Sequence, residues 1–291
     1  MPDTDPPPEP APGPAEAHRS PSPAEAHRSP WWPRAAAIGV AAGLLSGLFG
    51  VGGGIIMVPL LVAWFALDQR RASATSLLAI VPIAAASAAG YALNGNVDLG
   101  AGLLLLVGGV VGGQLGTRLL PRTPIATLQL WFGILSLATA ARLAIGEGLG
   151  DLSALGAVWE GGLLVLVGVA AGMLAGFLGV GGGIIMVPGL VLVTGDDADT
   201  ARGTSLVVVV FTALTATVTN WRNGLVHVPV ALVAGLAGVP AGLVGAAIGQ
   251  WLPERIALVL FAGLLVWSGV QMILRSRRSR RWASSTGGRD T

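Results

Sequence analysis

Apolar residues fill long stretches of this chain at positions 35–67, 75–93, 99–120 and 125–145, with short polar breaks between them. A linker carrying Glu147, Asp151 and Glu160 follows, and the series resumes at 161–194, 204–221, 228–252 and 256–274. Runs such as 99–117 and 225–251, where His227 is the one titratable side chain, are long enough to cross the hydrocarbon core of a bilayer. The pattern predicts an all-α, polytopic membrane protein with about eight hydrophobic segments.

One string inside these stretches occurs twice unchanged, GVGGGIIMVP at 50–59 and again at 179–188. The offset of 129 residues extends beyond it without a gap. Asp68 falls on Asp197, Thr75-Ser76 on Thr204-Ser205, Asn94-Gly95 on Asn223-Gly224, Gly113 on Gly242, Pro124 on Pro253 and Phe132 on Phe261. Two homologous transmembrane repeats are expected, residues 35–145 and 161–275, each with a glycine-broken segment and three transmembrane helices. Residues 146–160 are then a linker, 1–33 a disordered Pro/Ala-rich tail with the tandem octapeptide PAEAHRSP, and 276–291 a basic cytoplasmic tail.

Three adjacent glycines weaken a helix, and the proline that follows removes a backbone donor. Irregular backbone at membrane depth is tolerated only where protein buries it or where it lines a cavity. As one helix, residues 35–67 would run about 50 Å against a core about 30 Å thick. Broken at Gly52, Gly53 and Gly54, each arm is about 22 Å and suits a hairpin that enters and returns. Arginine placement tests the choice. If every segment crosses once from an inside N-terminus, the loop arginines, Arg202 among them, divide two inside to six outside; with both glycine segments as hairpins they divide five to three. The positive-inside rule therefore favours re-entrant hairpins over eight plain crossings. A hairpin plus three crossings is an odd number, so the second repeat starts from the opposite side. The repeats are then inverted, and the two glycine loops approach the midplane from opposite faces.

After Gly54 and Gly183 a short helix is expected to restart, through 55–58 and 184–187. First-turn amides lack intrahelical partners and carry the positive end of the helix dipole, and glycine lets a ligand approach the backbone. Two such N-termini face to face would make a site for a small anion. The candidate substrate-binding residues are Gly52, Gly53, Gly54, Gly181, Gly182 and Gly183, joined by Thr75, Ser76, Thr204 and Ser205 at the start of the next segments. Plainer roles stand beside these: glycines also let helices pack closely, the better reading for Gly108, Gly112 and Gly116, and hydroxyls also cap helices or bond the main chain. Gln114, with Leu243 as its counterpart, faces either the pathway or a neighbouring helix. Pro59 and Pro188 read as kinks, and Asn94 and Asn223 as turn residues. No lysine or arginine is expected at membrane depth, and no carboxylate stands in mid-segment, so no coupling residue for protons is visible.

Composition narrows the class. Hydrophobic residues make up 53% of the chain and charged residues 11%, against about 25% charged in soluble domains. Cys is absent, which excludes disulfide and thiolate sites. A net charge of +2, with five arginines in 275–281, fits a tail beside anionic lipid and not a nucleic-acid partner. No nucleophile–base pair or ligand cluster marks an enzyme; His18, His27 and His227 do not make one, and no cofactor or metal is expected. The glycines also lack the Lys-Ser/Thr of a phosphate-binding loop.

GLFGVGGGIIMVP at 47–59, GFLGVGGGIIMVP at 176–188, ATSLL at 74–78 and GTSLV at 203–207 resemble the TauE/SafE family of sulfite-exporter-like permeases, over roughly residues 35–275. The resemblance implies a permease of the cytoplasmic membrane for a small sulfur-containing anion or organic acid, such as sulfite or sulfoacetate. The N-terminal octapeptides lie outside the family pattern. A passive anion channel is the alternative reading of the same features.

Overall fold

The structure, a computed structural model, describes residues 30–119, 157–179 and 181–253, with single positions at 256, 259, 260, 263, 266 and 270. The segment expected at 125–145, most of that at 256–274 and nearly all of both tails lie outside the described residues. The chain divides into two units, Met1–Trp31 and Trp32–Thr291, and every described helix belongs to the second.

Among the described residues there are eight helices with defined bounds and no strand. They are α1 (Trp32–Phe49), α2 (Gly54–Phe65), α3 (Gln69–Ala92), α4 (Leu99–Leu119), α5 (Ala157–Leu178), α6 (Gly183–Val193), α7 (Ala198–Arg222) and α8 (Val228–Trp251). By length and composition α1, α3, α5, α7 and α8 can each cross a membrane, whereas α2 and α6 are shorter apolar helices.

Local chemistry explains the boundaries. Asp68 caps α3 by accepting the Arg71 N–H at 2.9 Å, and Asp197 caps α7 by accepting the Thr200 N–H at 2.7 Å. Gly95 and Gly224 take φ of 78° and 67° in the turns after α3 and α7, where the Asn-Gly pairs were read as turns. Four helices start earlier than the apolar pattern predicts, α3 and α7 at their aspartate caps and α1 and α5 for other reasons. Pro33 sits in the first turn of α1, drawing the end of the expected 1–33 tail into helix. Glu160 in the first turn of α5 faces the positive end of the dipole, so α5 takes the last residues of the expected 146–160 linker.

Close glycine contacts fix the helix directions. On α1, a Cβ at Gly39, Gly43 or Gly47 would overlap the backbone of Ala234, Gly238 or Gly242 on α8, so these two helices run parallel. Pro82, Ser87 and Tyr91 of α3 meet Gly235, Gly242 and Gly249 of α8 in the same rising order. Likewise Gly108 and Gly112 of α4 press on Val165 and Val169 of α5, and Gly102 and Gly109 on Thr204 and Thr212 of α7. The result is two parallel triplets, α1–α3–α8 and α4–α5–α7. They run in opposite directions, because Tyr91 near the end of α3 lies against Gly203 near the start of α7. With α1 and α3 parallel, the short α2 must carry the chain back. The same holds for α6, where Gly182 lies against Ala171 but the later Gly189 meets the earlier Val167.

The main core joins both triplets around Leu77, Ile80, Tyr91, Leu105, Met186, Leu206 and Val209; a second gathers Ile38, Met57, Leu61 and Ile83. Outward faces stay apolar. Leu99, Leu103, Val107 and Val111 of α4, and Leu232 and Leu236 of α8, recur at four-residue spacing and are exposed, as side chains facing lipid must be.

Candidate functional site

Each glycine string forms a sharp loop between two helices. Gly50, Gly52 and Gly53 have φ of 72°, 84° and 74°; Gly179, Gly181 and Gly182 have 70°, 85° and 82°. That left-handed region penalises any side chain. Gly54 and Gly183 are instead the first residues of α2 and α6, which restart where the sequence predicts. Gly50 and Gly179 therefore carry the backbone requirement that sequence reasoning placed on Gly54 and Gly183. In α2 the first i→i−4 bond is Met57 N–H to the Gly53 carbonyl, at 3.2 Å. The amides ahead of it thus stand at the positive end of the helix without an intrahelical partner.

The two loops meet. A Cβ on Gly183 would lie 2.7 Å from the Gly50 carbonyl oxygen and 2.8 Å from the Val51 Cα, so only glycine lets the loops seat on each other. Four fully buried hydroxyls act in reciprocal pairs here, the serines on the loops and the threonines on the chain ahead of α8 and α4. Ser76 Oγ donates to the Gly179 carbonyl at 2.8 Å, and Ser205 Oγ donates to the Gly50 carbonyl at 3.0 Å. Thr75 Oγ1 accepts the His227 N–H at 3.0 Å ahead of α8, and Thr204 Oγ1 accepts the Asp98 N–H at 2.8 Å ahead of α4. These are the main-chain bonds that the sequence left open as one of two roles. The space beside the first loop, lined by Leu45, Val51, Gly53, Ile55 and Ile56, amounts to about 10 Å³, enough for one water at most.

One expectation is corrected. Arg202, assigned to a loop by the apolar pattern, is 2% exposed in α7 and ion-paired with Asp199 at 2.9 Å. A Cβ on Gly50 would sit 2.7 Å from its Cα, so an arginine does stand beside the first loop. The reason is the Asp197 cap, which starts the helix ahead of the apolar stretch and carries Arg202 inward.

A second feature escaped the sequence reading. A cavity of about 150 Å³ reaches from Thr212, whose Oγ1 lies 3.5 Å from the Gly181 carbonyl, towards the end of α7. Gln114, Thr215, Thr219 and Asn220 line it, so Gln114 does border a polar space. The signal was there: hydroxyls at 212, 215 and 219 repeat at helical spacing inside an apolar segment. His227 is exposed at the N-cap of α8, and His18 and His27 lie outside the described residues.

The family described as Sulfite exporter TauE/SafE matches residues 11–143 and 164–290, a wider span than the 35–275 carried by the motifs, and one that takes in much of both tails. The chain is 26% identical over 259 residues to the "Probable membrane transporter protein YunE" of Bacillus subtilis, covering 81% of this chain and 95% of that one. It is 26% identical over 260 residues to a "Probable membrane transporter protein" of Methanocaldococcus jannaschii, covering 83% and 95%. A protein of the same description from Xylella fastidiosa is 33% identical over 109 residues, 37% of this chain and 42% of that one. No solved structure matches the chain. With its apolar helices, lipid-facing surface and paired glycine loops, this chain belongs to the TauE/SafE family and is a polytopic membrane transporter.

Proposed function

We propose that this transporter moves a small anion across the cytoplasmic membrane, a sulfur-containing anion or organic acid such as sulfite or sulfoacetate, past the two glycine loops. The observation that carries the reading is the junction itself: two loops of glycine-only backbone, each backed by a helix N-terminus, seated on each other inside the core. An anion needs no buried lysine at such a place, because amides and helix dipoles supply the positive field. The opposed helix triplets support re-entrant hairpins that meet from opposite faces, and the arginine distribution supports a cytoplasmic C-terminus. Among the described residues about 10 Å³ stands open beside the first loop, so an anion passes there only when the loops part.

Flux of radiolabelled sulfite and of sulfoacetate into proteoliposomes, with and without a pH gradient, tests this. Saturable flux is expected, and accumulation against a gradient separates a carrier from a passive channel. Gly53→Val and Gly182→Val should each abolish flux while leaving the protein in the membrane, since both glycines are left-handed and press on a backbone carbonyl. Wild-type flux in either variant removes that loop from the path; no flux of either anion in the unaltered protein removes the substrate class.

A further inference from the structure

The two halves of the chain place equivalent residues in equivalent contacts, yet among the described residues the polar space of one half reaches inward to its glycine loop and that of the other stops at Tyr91. We propose that the cavity lined by Gln114, Thr212, Thr215, Thr219 and Asn220 is the vestibule through which a small oxyanion reaches the loops from one end of the bundle. Tyr91 is the plug that seals the equivalent vestibule at the other end. This rests on the transport reading above and adds to it the route and the conformational state.

The vestibule is built for a small, hydrated oxyanion. At 1.5 Å per residue, Thr212 to Asn220 spans about 12 Å of α7, from beneath the second loop to the last turn of the helix. Its volume of about 150 Å³ holds several waters or one small ion. Among the described residues its polar groups are hydroxyls and amides without a charge, set between small apolar residues such as Val110, Ala175 and Ala216. Thr215 and Thr219 donate to Thr212 and Thr215 carbonyls of their own helix at 2.9 and 3.3 Å, bonds that a χ1 rotation exchanges for an anion.

At the 129-residue offset Gln114 becomes Leu243, Thr212 becomes Ile83, Thr219 becomes Gly90 and Asn220 becomes Tyr91. Because α3 and α7 are antiparallel, this second space opens at the opposite end of the bundle. Its outer part persists as a mouth of about 370 Å³ that includes Gly90, Leu243, Asn94, Asn96 and Gln250, together with Asp199, whose carboxylate is ion-paired with Arg202 at 2.9 Å. The inner part is filled. Tyr91 is fully buried, and its hydroxyl donates to the Gly47 carbonyl at 2.8 Å. Next to Gly47 in the chain, and one turn before Tyr91, Ser46 and Ser87 keep fully buried hydroxyls with no hydrogen-bond partner among the described residues. A buried hydroxyl left unpaired forfeits its hydration without compensation. Two of them beneath one plug are accounted for if water and substrate reach them when the plug withdraws.

The absence of native cysteine makes the test direct. Single cysteines at Thr215 and Ser87 of the full-length protein in proteoliposomes are reacted with 2-sulfonatoethyl methanethiosulfonate, a small anionic thiol reagent. Thr215→Cys should react readily, and Ser87→Cys at least about tenfold more slowly, because it waits for local opening. Adding Tyr91→Ala should raise the Ser87→Cys rate towards that of Thr215→Cys and leave the latter unchanged. If Tyr91→Ala is not recovered from the membrane, Tyr91→Phe, which drops only the bond to Gly47, should give a smaller rise in the same direction. Equal rates at the two positions with Tyr91 in place, or no rise on removing its ring or hydroxyl, would overturn the proposal. The readout needs no transported substrate, so a wrong anion in the flux assay leaves it intact, and a failure here leaves the flux result standing.

Discussion

Gly50 and Gly95 share a left-handed backbone, at φ 72° and 78°, but not a neighbourhood. Nothing lies within 4 Å of a Cβ built on Gly95, whereas one on Gly50 would meet Arg202 Cα at 2.7 Å and Cβ at 2.8 Å. Gly95→Ala therefore carries only the backbone penalty, about 1–2 kcal/mol. Gly50→Ala carries that and a clash between two packed backbones. Melting of the detergent-solubilised protein, followed by size-exclusion chromatography, should show a small shift for the first and loss of the folded peak for the second. Equal shifts would mean that the first loop yields. At this scale the sequence was informative about residue type and silent about neighbours. Three glycines in a row announced a break, but the need for glycine at 50 and 179 depends on Arg202 and Ser73, more than a hundred residues away in the chain. The hydroxyls at 75, 76, 204 and 205 were legible as a repeated pair, while their choice of main-chain partners was not.

At the scale of the element, small residues decide which helices touch. Gly39, Gly43 and Gly47 make a flat face on α1, and Gly108 and Gly112 make one on α4, each admitting another backbone at van der Waals distance. Spacing by four made the packing role of Gly108 and Gly112 readable from sequence, but not the identity of α5 as the partner. Gly43→Val and Gly112→Val should separate these pairs, with little folded protein extracted from the membrane fraction. Gly162→Val, at a position with nothing within 4 Å, should behave as the unaltered chain. Comparable yields of all three would show that the close approach does not hold the bundle together.

For the unit from Trp32 onward, the direction of each helix matters more than its existence. Parallel α1 and α3 put Trp32 and Gln69 at one end of the bundle and Gly95 at the other. Single cysteines at these three exposed positions, labelled with a membrane-impermeant maleimide in oriented vesicles, should react from one side at 32 and 69 and from the other at 95. Reaction of 32 and 69 from opposite sides would make the first glycine segment a plain crossing. The arginine count favours a hairpin on its own ground, because positive charge at loop ends is a property of sequence alone.

Hydrophobic runs too long for solution, helix caps at Asp68 and Asp197, left-handed breaks at glycine and a 129-residue duplication are all local or periodic properties, so the chain determined them by itself. Contacts across that duplication belong to another class. The seating of Gly183 on Gly50, the exchange of serine bonds between the loops, the inward pull on Arg202 and the unequal filling of two equivalent spaces by Tyr91 and Asn220 join residues far apart in the chain. Apolar side chains specify that a segment is buried without specifying against what, since dispersion and desolvation are nearly indifferent to the partner. Backbone approach at glycine and hydrogen bonding by buried hydroxyls are directional and short-ranged, and only the folded arrangement decides them.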